Sequence, residues 1–208
     1  MSRIRKIAYI QRHGKKQNPE GDKSLWKPTS TLKPEAIEEL RTIRIRHGFA
    51  SAKFSNVFSS GWDRTNMTAQ LMSGVDATPA IELNPHAIWD DEAWKKVLFL
   101  ADGKDKPARD ILADHPTILK PVGLLGANFV LRQLATMNDC EMLFVTHGPL
   151  AEAITATLLD QWPLQHPVTE FKEGDIVPVD FDERNTVIGY AILSAADALM
   201  PRGNPLDE

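Results

Sequence analysis

Short apolar runs alternate with helical patterns along this chain, and this alternation restricts the possible fold more than any other feature. Apolar runs that predict strands cover residues 6–10, 54–58, 81–83, 142–145, 176–181 and 187–193. Helical patterns cover residues 34–47 and 63–74, and further helices are predicted from Pro121 onwards and after Pro149. We therefore expect a single α/β domain over residues 1–208, a three-layer α/β/α sandwich with a mainly parallel central sheet.

The triplet Arg-His-Gly occurs twice, and the two copies lie in different contexts. Arg12-His13-Gly14 directly follows the first apolar run, at the end of a strand where open α/β sheets bind ligands. Arg46-His47-Gly48 instead ends the helix predicted over residues 34–47. There a cation suits the helix dipole, and glycine supplies a left-handed stop. We expect a functional role for the first copy and a structural role for the second.

The overall charge argues against a dedicated binder of nucleic acid. The 208 residues carry a formal net charge of −4, whereas such proteins normally have a basic surplus. Residues 1–16 nevertheless contain six Lys and Arg and no acid. This bias either focuses an anionic ligand at one site or forms a solvated charged surface, and the sequence leaves both open.

The single cysteine, Cys140, forms no intramolecular disulfide and no Cys-based zinc site, so we expect a reducing, cytoplasmic location. No segment approaches the roughly 20 apolar residues of a membrane span, and the first residues do not resemble a signal peptide. The six histidines do not fall at metal-ligand spacings, and there is no Walker loop or dinucleotide fingerprint. We expect no metal, cofactor or membrane partner, while the oligomeric state stays open.

Basic groups follow three of the predicted strands. Arg12 and His13 follow the first, Arg64 lies in the first turn of the next helix, and His147 follows the strand at residues 142–145. Because parallel strands align their carboxyl ends, these residues are expected to meet over one pocket. Guanidinium forks fit phosphate bidentately, and a neutral imidazole is a nucleophile near pH 7. The pattern predicts a phosphate site.

These motifs resemble those of the histidine phosphatase superfamily, which contains phosphoglycerate mutases, fructose-2,6-bisphosphatase and bacterial phosphohistidine phosphatases. Arg12-His13-Gly14 resembles the signature triplet, residues 59–65 the second-arginine segment, and residues 145–148 the second-histidine segment. The resemblance covers nearly the whole chain in the order of its motifs. It implies a phosphoglycerate mutase-like fold and a phosphorylated substrate, either a small metabolite or a phosphoprotein.

The same resemblance implies a role for each basic residue. His13 is then the nucleophile that accepts the phosphoryl group, and Arg12, Arg64 and His147 hold its oxygens. Transfer through phosphohistidine splits one difficult displacement into two easier ones. The guanidinium charges stabilise the equatorial oxygens without a metal ion.

Five further residues are expected to contact the substrate: Gly14, Gly148, Asn18, Lys15 and Lys16. Gly14 lets the backbone approach the ligand closely, and Asn18 is an offset counterpart of an asparagine in the first loop of the family. Lys15 and Lys16 stand where mutases have Glu and then Ser or Thr, which disfavours mutase activity. The two lysines either contact an acidic substrate or are simply solvated.

The general acid is expected beyond the third strand, where the family usually carries Glu or sometimes Asp. Its Leu-x-Glu pattern falls best on residues 88–90, so the order of candidates is Asp90, Asp91 and then Glu92. The same acids also suit the amino-terminus of the following helix, where they act as caps. The pattern leaves both interpretations open.

The function predicted from these residues is a metal-independent phosphomonoesterase that works through a phosphohistidine intermediate. One alternative is a phosphoryl transferase of the phosphoglycerate mutase type, in which an organic acceptor competes with water. Another is a non-catalytic phospholigand-binding protein of the same fold. The loops at residues 15–31 and 92–120 carry no pattern that identifies the substrate.

Overall fold

The computed structural model describes residues 5–18, 28–90, 92–94, 110–111, 114–160 and 171–193. The strands are β1 Lys6–Arg12, β2 Lys16–Gln17, β3 Thr31–Leu32, β4 Asn56–Ser59, β5 Thr78–Pro79, β6 Cys140–Thr146, β7 Ile176–Phe181 and β8 Val187–Tyr190. The longer helices are α1 Pro34–Arg46, α2 Asp63–Ser73, α3 Pro116–Ala135 and α4 Leu150–Leu158. None of the described helices is long and apolar enough to cross a membrane.

A six-stranded sheet forms the centre of the fold, in the order β5-β4-β6-β1-β7-β8. The first four strands in this order are parallel, and β7 and β8 are antiparallel additions at one side. Arg12 pairs in register with Thr146, and Ser59 pairs with Val145. The carboxyl ends of β1, β4 and β6 therefore lie at one edge of the sheet, as predicted.

Alternate residues of β6 contact opposite layers of helices. Met142 and Phe144 belong to the apolar cluster that includes α3 and α4, whereas Leu143 and Val145 belong to the cluster that includes α1 and α2. Successive side chains of a strand point to opposite faces, and a strand buried on both faces needs a continuous apolar run. This packing confirms the predicted three-layer α/β/α architecture.

The second Arg-His-Gly triplet has the structural place that its context predicted. Helix α1 ends at Arg46, His47 is its carboxyl cap, and Gly48 has a φ of +75°. A positive φ costs glycine little because it has no Cβ. The prediction of a helix terminus at this copy is confirmed.

One predicted strand and one predicted helix start were wrong. Residues Ile81–Leu83 form a 3₁₀ turn rather than a strand, because Ile81 is 64% exposed while Leu83 is fully buried, and strand residues two apart share a face. The third parallel strand is instead the short β5, which ends at Pro79, a residue without an N–H for the ladder. Helix α3 begins at Pro116 and not at Pro121, since proline also suits the first turn.

Candidate active site

The structure brings His13, Arg64 and His147 together at the carboxyl edge of the sheet. Arg64 Nε donates a hydrogen bond to His13 Nε2 at 3.1 Å, and its Nη2 donates to His147 Nδ1, also at 3.1 Å. The two imidazole rings are 5.0 Å apart between centroids. All three side chains are buried. One guanidinium thus bridges two histidines that are far apart in the sequence.

The hydrogen bonds of His13 determine which of its ring nitrogens carries the proton. Nδ1 lies 2.7 Å from the carbonyl oxygen of Gly14, which only accepts, so Nδ1 is the protonated nitrogen. Nε2 then holds a lone pair, consistent with its acceptance of the bond from Arg64. Burial, followed by the charge of Arg64, lowers the pKa of His13 well below its usual value. The imidazole is neutral at pH 7, with its lone pair on Nε2.

His147 has the same charge state and the opposite tautomer. Because a guanidinium only donates, Nδ1 accepts from Arg64 and Nε2 carries the proton. Nε2 donates to Ser60 Oγ at 2.8 Å. Ser60 Oγ in turn lies 2.8 Å from Thr65 Oγ1, and the Thr65 hydroxyl donates to the carbonyl of Trp62 at 2.7 Å. Burial and then the charge of Arg64 lower the pKa of His147. This chain fixes the ring orientation.

Arg64 remains a cation despite its burial. Burial lowers its pKa to about 10, and the nearby carboxylate of Glu173 partly offsets this effect. The ring centroid of Trp62 lies 4.5 Å from the guanidinium carbon, so a cation–π contact adds to its stabilisation. Sequence reasoning assigned no role at the site to Glu173 or Trp62. Trp62 lies within the segment 59–65 that resembles the second-arginine motif, whereas Glu173 belongs to none of the motifs.

Arg12 lies at the end of β1, at the side of the site that α4 borders. Its Nη1 donates to the carbonyl of Phe171 at 2.6 Å and lies 3.7 Å from Glu152 Oε1. A Cβ on Gly148 would lie 2.6 Å from the guanidinium carbon. Glycine at this position therefore makes room for the arginine, which is a reason for Gly148 that the motif alone does not give.

Comparison with solved structures identifies the architecture. Protein histidine phosphatase SixA complexed with tungstate has a TM-score of 0.60 at 16% identity, over 92% of this chain and 98% of that one. Phosphoglycerate mutase from Bacillus anthracis gives 0.61 at 15% identity, over 94% and 97%. The chain shares the fold of these two proteins.

A third structure with this fold, phosphoserine phosphatase from Entamoeba histolytica in complex with 3-phosphoglyceric acid, matches over 91% of this chain and 98% of that one. Its TM-score is 0.60 at 15% identity. No family model and no curated protein matches the sequence. The likeness lies in the fold, with little overall identity.

The structure gives a reason for glycine at position 14 that differs from the predicted one. The N–H of Gly14 donates to Thr68 Oγ1 at 3.2 Å, and a Cβ added to it would lie 3.1 Å from Leu40 Cδ1. The missing side chain therefore makes room for α1. Close approach of a ligand to this backbone stays a prediction.

The two lysines after the triplet have different surroundings. Lys15 Nζ forms an ion pair with Glu39 at 3.1 Å on the surface of α1. The charge of Lys16 makes a small contribution to lowering the pKa of His13. Asn18 Oδ1 accepts a hydrogen bond from Ser30 Oγ at 2.8 Å. Of the two lysines, Lys16 is the better placed to contact a ligand.

The predicted acids are not brought to the histidines by any described contact. Asp90 is exposed, and its Oδ1 accepts a hydrogen bond from the backbone N–H of Ala93 at 2.9 Å, the capping interaction that the sequence left open. Asp91 lies outside the described residues, and Glu92 is exposed. The role of these residues as proton donors stays a prediction.

A buried acid next to Arg12 was missed by sequence reasoning. Glu152 is 3% exposed and is the only charged residue of α4. A single carboxylate in an otherwise uncharged helix, five residues after a predicted site histidine, is a signal that the sequence does contain. It marks a helix face that lies against the site rather than against solvent.

Proposed function

We propose that this protein is a metal-independent phosphomonoesterase that forms a phosphohistidine on His13. The observation that carries the proposal is the neutral His13, whose Nε2 lone pair is buried beside the guanidinium of Arg64 at 3.1 Å. A nucleophile and a cation in this arrangement suit an incoming phosphate group. The phosphatases among the proteins of the same fold support this reading.

The first step transfers the phosphoryl group to the enzyme. A bound phosphate oxygen takes over the N–H donation of Arg64, which frees the lone pair of His13 Nε2 to attack phosphorus. A phosphorus–nitrogen bond forms as the bond to the leaving oxygen breaks, and that oxygen takes a proton from the acid, for which Asp90 and Asp91 remain our candidates. Arg12 and Arg64 stabilise the charge on the equatorial oxygens.

The second step returns the enzyme to its starting state. Water attacks the phosphohistidine, the phosphorus–nitrogen bond breaks, and inorganic phosphate leaves with Nε2 again unprotonated. The acid that protonated the leaving group now accepts the proton of the water. His147 Nδ1 accepts from Arg64 Nη2 and so helps to orient that guanidinium towards the transferred group, while Ser60 fixes the ring through Nε2 at 2.8 Å.

The chain contains its own matched controls for a test of this mechanism. His13→Ala and Arg12→Ala alter the first triplet, while His47→Ala and Arg46→Ala make the same changes in the second triplet at the end of α1. Hydrolysis of an aryl phosphate and of a panel of phosphometabolites and phosphopeptides is measured with a chelator present. We expect a loss of at least about 1,000-fold for His13→Ala and near wild-type rates for His47→Ala.

Trapping the intermediate adds a second readout. Rapid quenching with a radiolabelled substrate should give a protein label that is stable in alkali and lost in acid, and His13→Ala should abolish it. Full activity of His13→Ala, or loss of turnover with chelator, would contradict the mechanism. Transfer of the phosphoryl group to an added organic acceptor in preference to water would favour the mutase-type alternative.

A further inference from the structure

Glu152 forms a buried contact with Arg12 that the proposed mechanism does not use. Its Oε1 lies 3.7 Å from Arg12 Nη1, and its side chain is 4% exposed against 23% for the arginine. Glu152 Oε2 and Arg12 Nε have no hydrogen-bond partner among the described residues. The pair is therefore close in charge but incompletely hydrogen-bonded, which is an unstable arrangement for a buried carboxylate.

The charges that act on Glu152 are few. Arg12 on β1 favours its ionised form, and Asp175, next to β7, opposes it. Helix α3 packs against α4, but Lys120 is exposed and Arg132 is directed to Glu82 at 2.8 Å on the surface. Arg12 is thus the cation on which an ionised Glu152 depends.

We propose that Glu152 is a positioning residue that serves as the counter-ion of Arg12 until a phosphate group binds, and then takes up a proton. This inference rests on the proposed function, in which Arg12 holds the phosphate. A phosphate dianion that binds the guanidinium of Arg12 weakens the electrostatic attraction between that guanidinium and the Glu152 carboxylate. It also brings two negative charges close to a third in a buried site, which disfavours the ionised acid.

Glu152 gains and loses its proton near neutral pH, so the binding of a phosphate group can shift its protonation there. Burial raises its pKa from 4.5 to about 7, against the opposing effect of Arg12. In the free protein the carboxyl therefore titrates near neutral pH. Bound phosphate raises its pKa further, so that binding above pH 7 draws a proton from solution.

The experiment compares wild type with Glu152→Gln, a neutral side chain of the same shape. The inhibition constant of inorganic phosphate is measured for each between pH 6 and pH 8. We expect the ratio of the wild-type constant to the variant constant to rise about tenfold over this range. Taking the ratio cancels the effect of phosphate ionisation on the two inhibition constants, because both proteins bind the same ion.

Glu141→Gln is the matched control, since Glu141 is a carboxylate on β6 that accepts from the Tyr9 hydroxyl at 3.2 Å. The ratio of the wild-type inhibition constant to that of Glu141→Gln should stay constant with pH. Titration calorimetry of phosphate into the wild-type protein, in buffers of different ionisation enthalpy, should show close to one extra proton taken up at pH 8. This measurement does not depend on how well any variant folds.

The possible failures can be told apart. Equal pH dependence in wild type and Glu152→Gln, with no proton uptake by the wild type, would overturn the role of Glu152 while leaving the phosphatase intact. Phosphate binding that is unaffected by Arg12→Ala would instead contradict the proposed site. A Glu152→Gln variant that lost aryl phosphate hydrolysis less than alkyl phosphate hydrolysis would identify Glu152 as the general acid and so overturn its positioning role.

Discussion

Replacement of Gly148 by alanine tests whether the guanidinium of Arg12 works where the structure places it. The new Cβ would lie 2.6 Å from Cζ, 2.7 Å from Nη1 and 2.9 Å from Nε of Arg12. Gly148 is not among the glycines with positive φ, so the left-handed penalty for alanine does not arise there. The three atoms nearest to the new Cβ all belong to this one side chain.

The size of the displacement sets the expected loss. Carbon atoms in ordinary contact are about 3.5 Å apart, so the guanidinium has to withdraw by about 1 Å. Its 2.6 Å hydrogen bond to the carbonyl of Phe171 lengthens or breaks as it moves. A misplacement of about 1 Å in a positioning group costs roughly 100-fold in rate, which corresponds to about 2.7 kcal/mol. Because Arg12 is partly exposed, it moves without rearranging the core.

The assay is kcat/KM for an aryl phosphate, together with the thermal midpoint of unfolding. We expect Gly148→Ala to lose about 100-fold in kcat/KM while its midpoint changes by only a few degrees. Gly189→Ala on β8 is the control, because its Cβ would meet nothing nearer than 3.8 Å. Both readouts should stay at wild-type values in this control.

A double-mutant cycle with Arg12→Ala makes the reasoning refutable. Without the guanidinium the alanine at position 148 has nothing to displace, so adding Gly148→Ala to Arg12→Ala should change kcat/KM less than about twofold. A Gly148→Ala protein with wild-type activity would refute the placement of Arg12. Equal losses in both backgrounds would show that the alanine acts on something else.

Three other predictions follow from the charges at the site. Because the pKa of His13 is lowered well below 6.5, kcat/KM per substrate dianion should stay level from pH 8 down to pH 6 in Glu152→Gln, where residue 152 does not titrate, and an acid limb with a midpoint at 6.5 would contradict this. Burial raises the folded pKa of Glu152 from 4.5 to about 7, so its contribution to stability is lost as the pH rises through that window. The unfolding free energy of Glu152→Gln, measured with urea, should gain about 3 kcal/mol on wild type between pH 4 and pH 8, and a constant difference would refute the shift. Lys16→Ala should raise KM several-fold while Lys15→Ala leaves it unchanged, and equal effects in steady-state assays would contradict the separation of the two lysines.

The sequence predicted the parts of the fold that depend on local patterns. Helix α1 and strand β6 were found because their apolar spacing is regular, and the convergence of basic residues followed from the alignment of parallel strands. The pairing of β2 with β3 was not predictable, since it joins Lys16 and Gln17 to Thr31 and Leu32 without an apolar pattern. Residues 81–83 were mistaken for a strand because periodicity does not show which of two apolar residues is exposed.

The electrostatic state of the site lay beyond the sequence for a different reason. The tautomers of His13 and His147 are decided by which atoms lie within hydrogen-bond distance, and Gly14, Arg64 and Ser60 supply those atoms from three separate segments. The partner of Glu152 is likewise fixed only when α4 packs beside β1. Chemistry of this kind depends on tertiary contacts, which a motif does not encode.

The second triplet shows how far its letters alone decide function. His47 has the same two neighbours in the sequence as His13, but it caps a helix near Phe49, with 6.2 Å between ring centroids. His13 instead follows a central strand, and its backbone N–H donates to the carbonyl of Thr146 at 3.0 Å. That contact holds its ring beside Arg64 in a buried setting where the lone pair is kept unprotonated. The position at the end of the strand, rather than the triplet itself, makes one of the two histidines a candidate nucleophile.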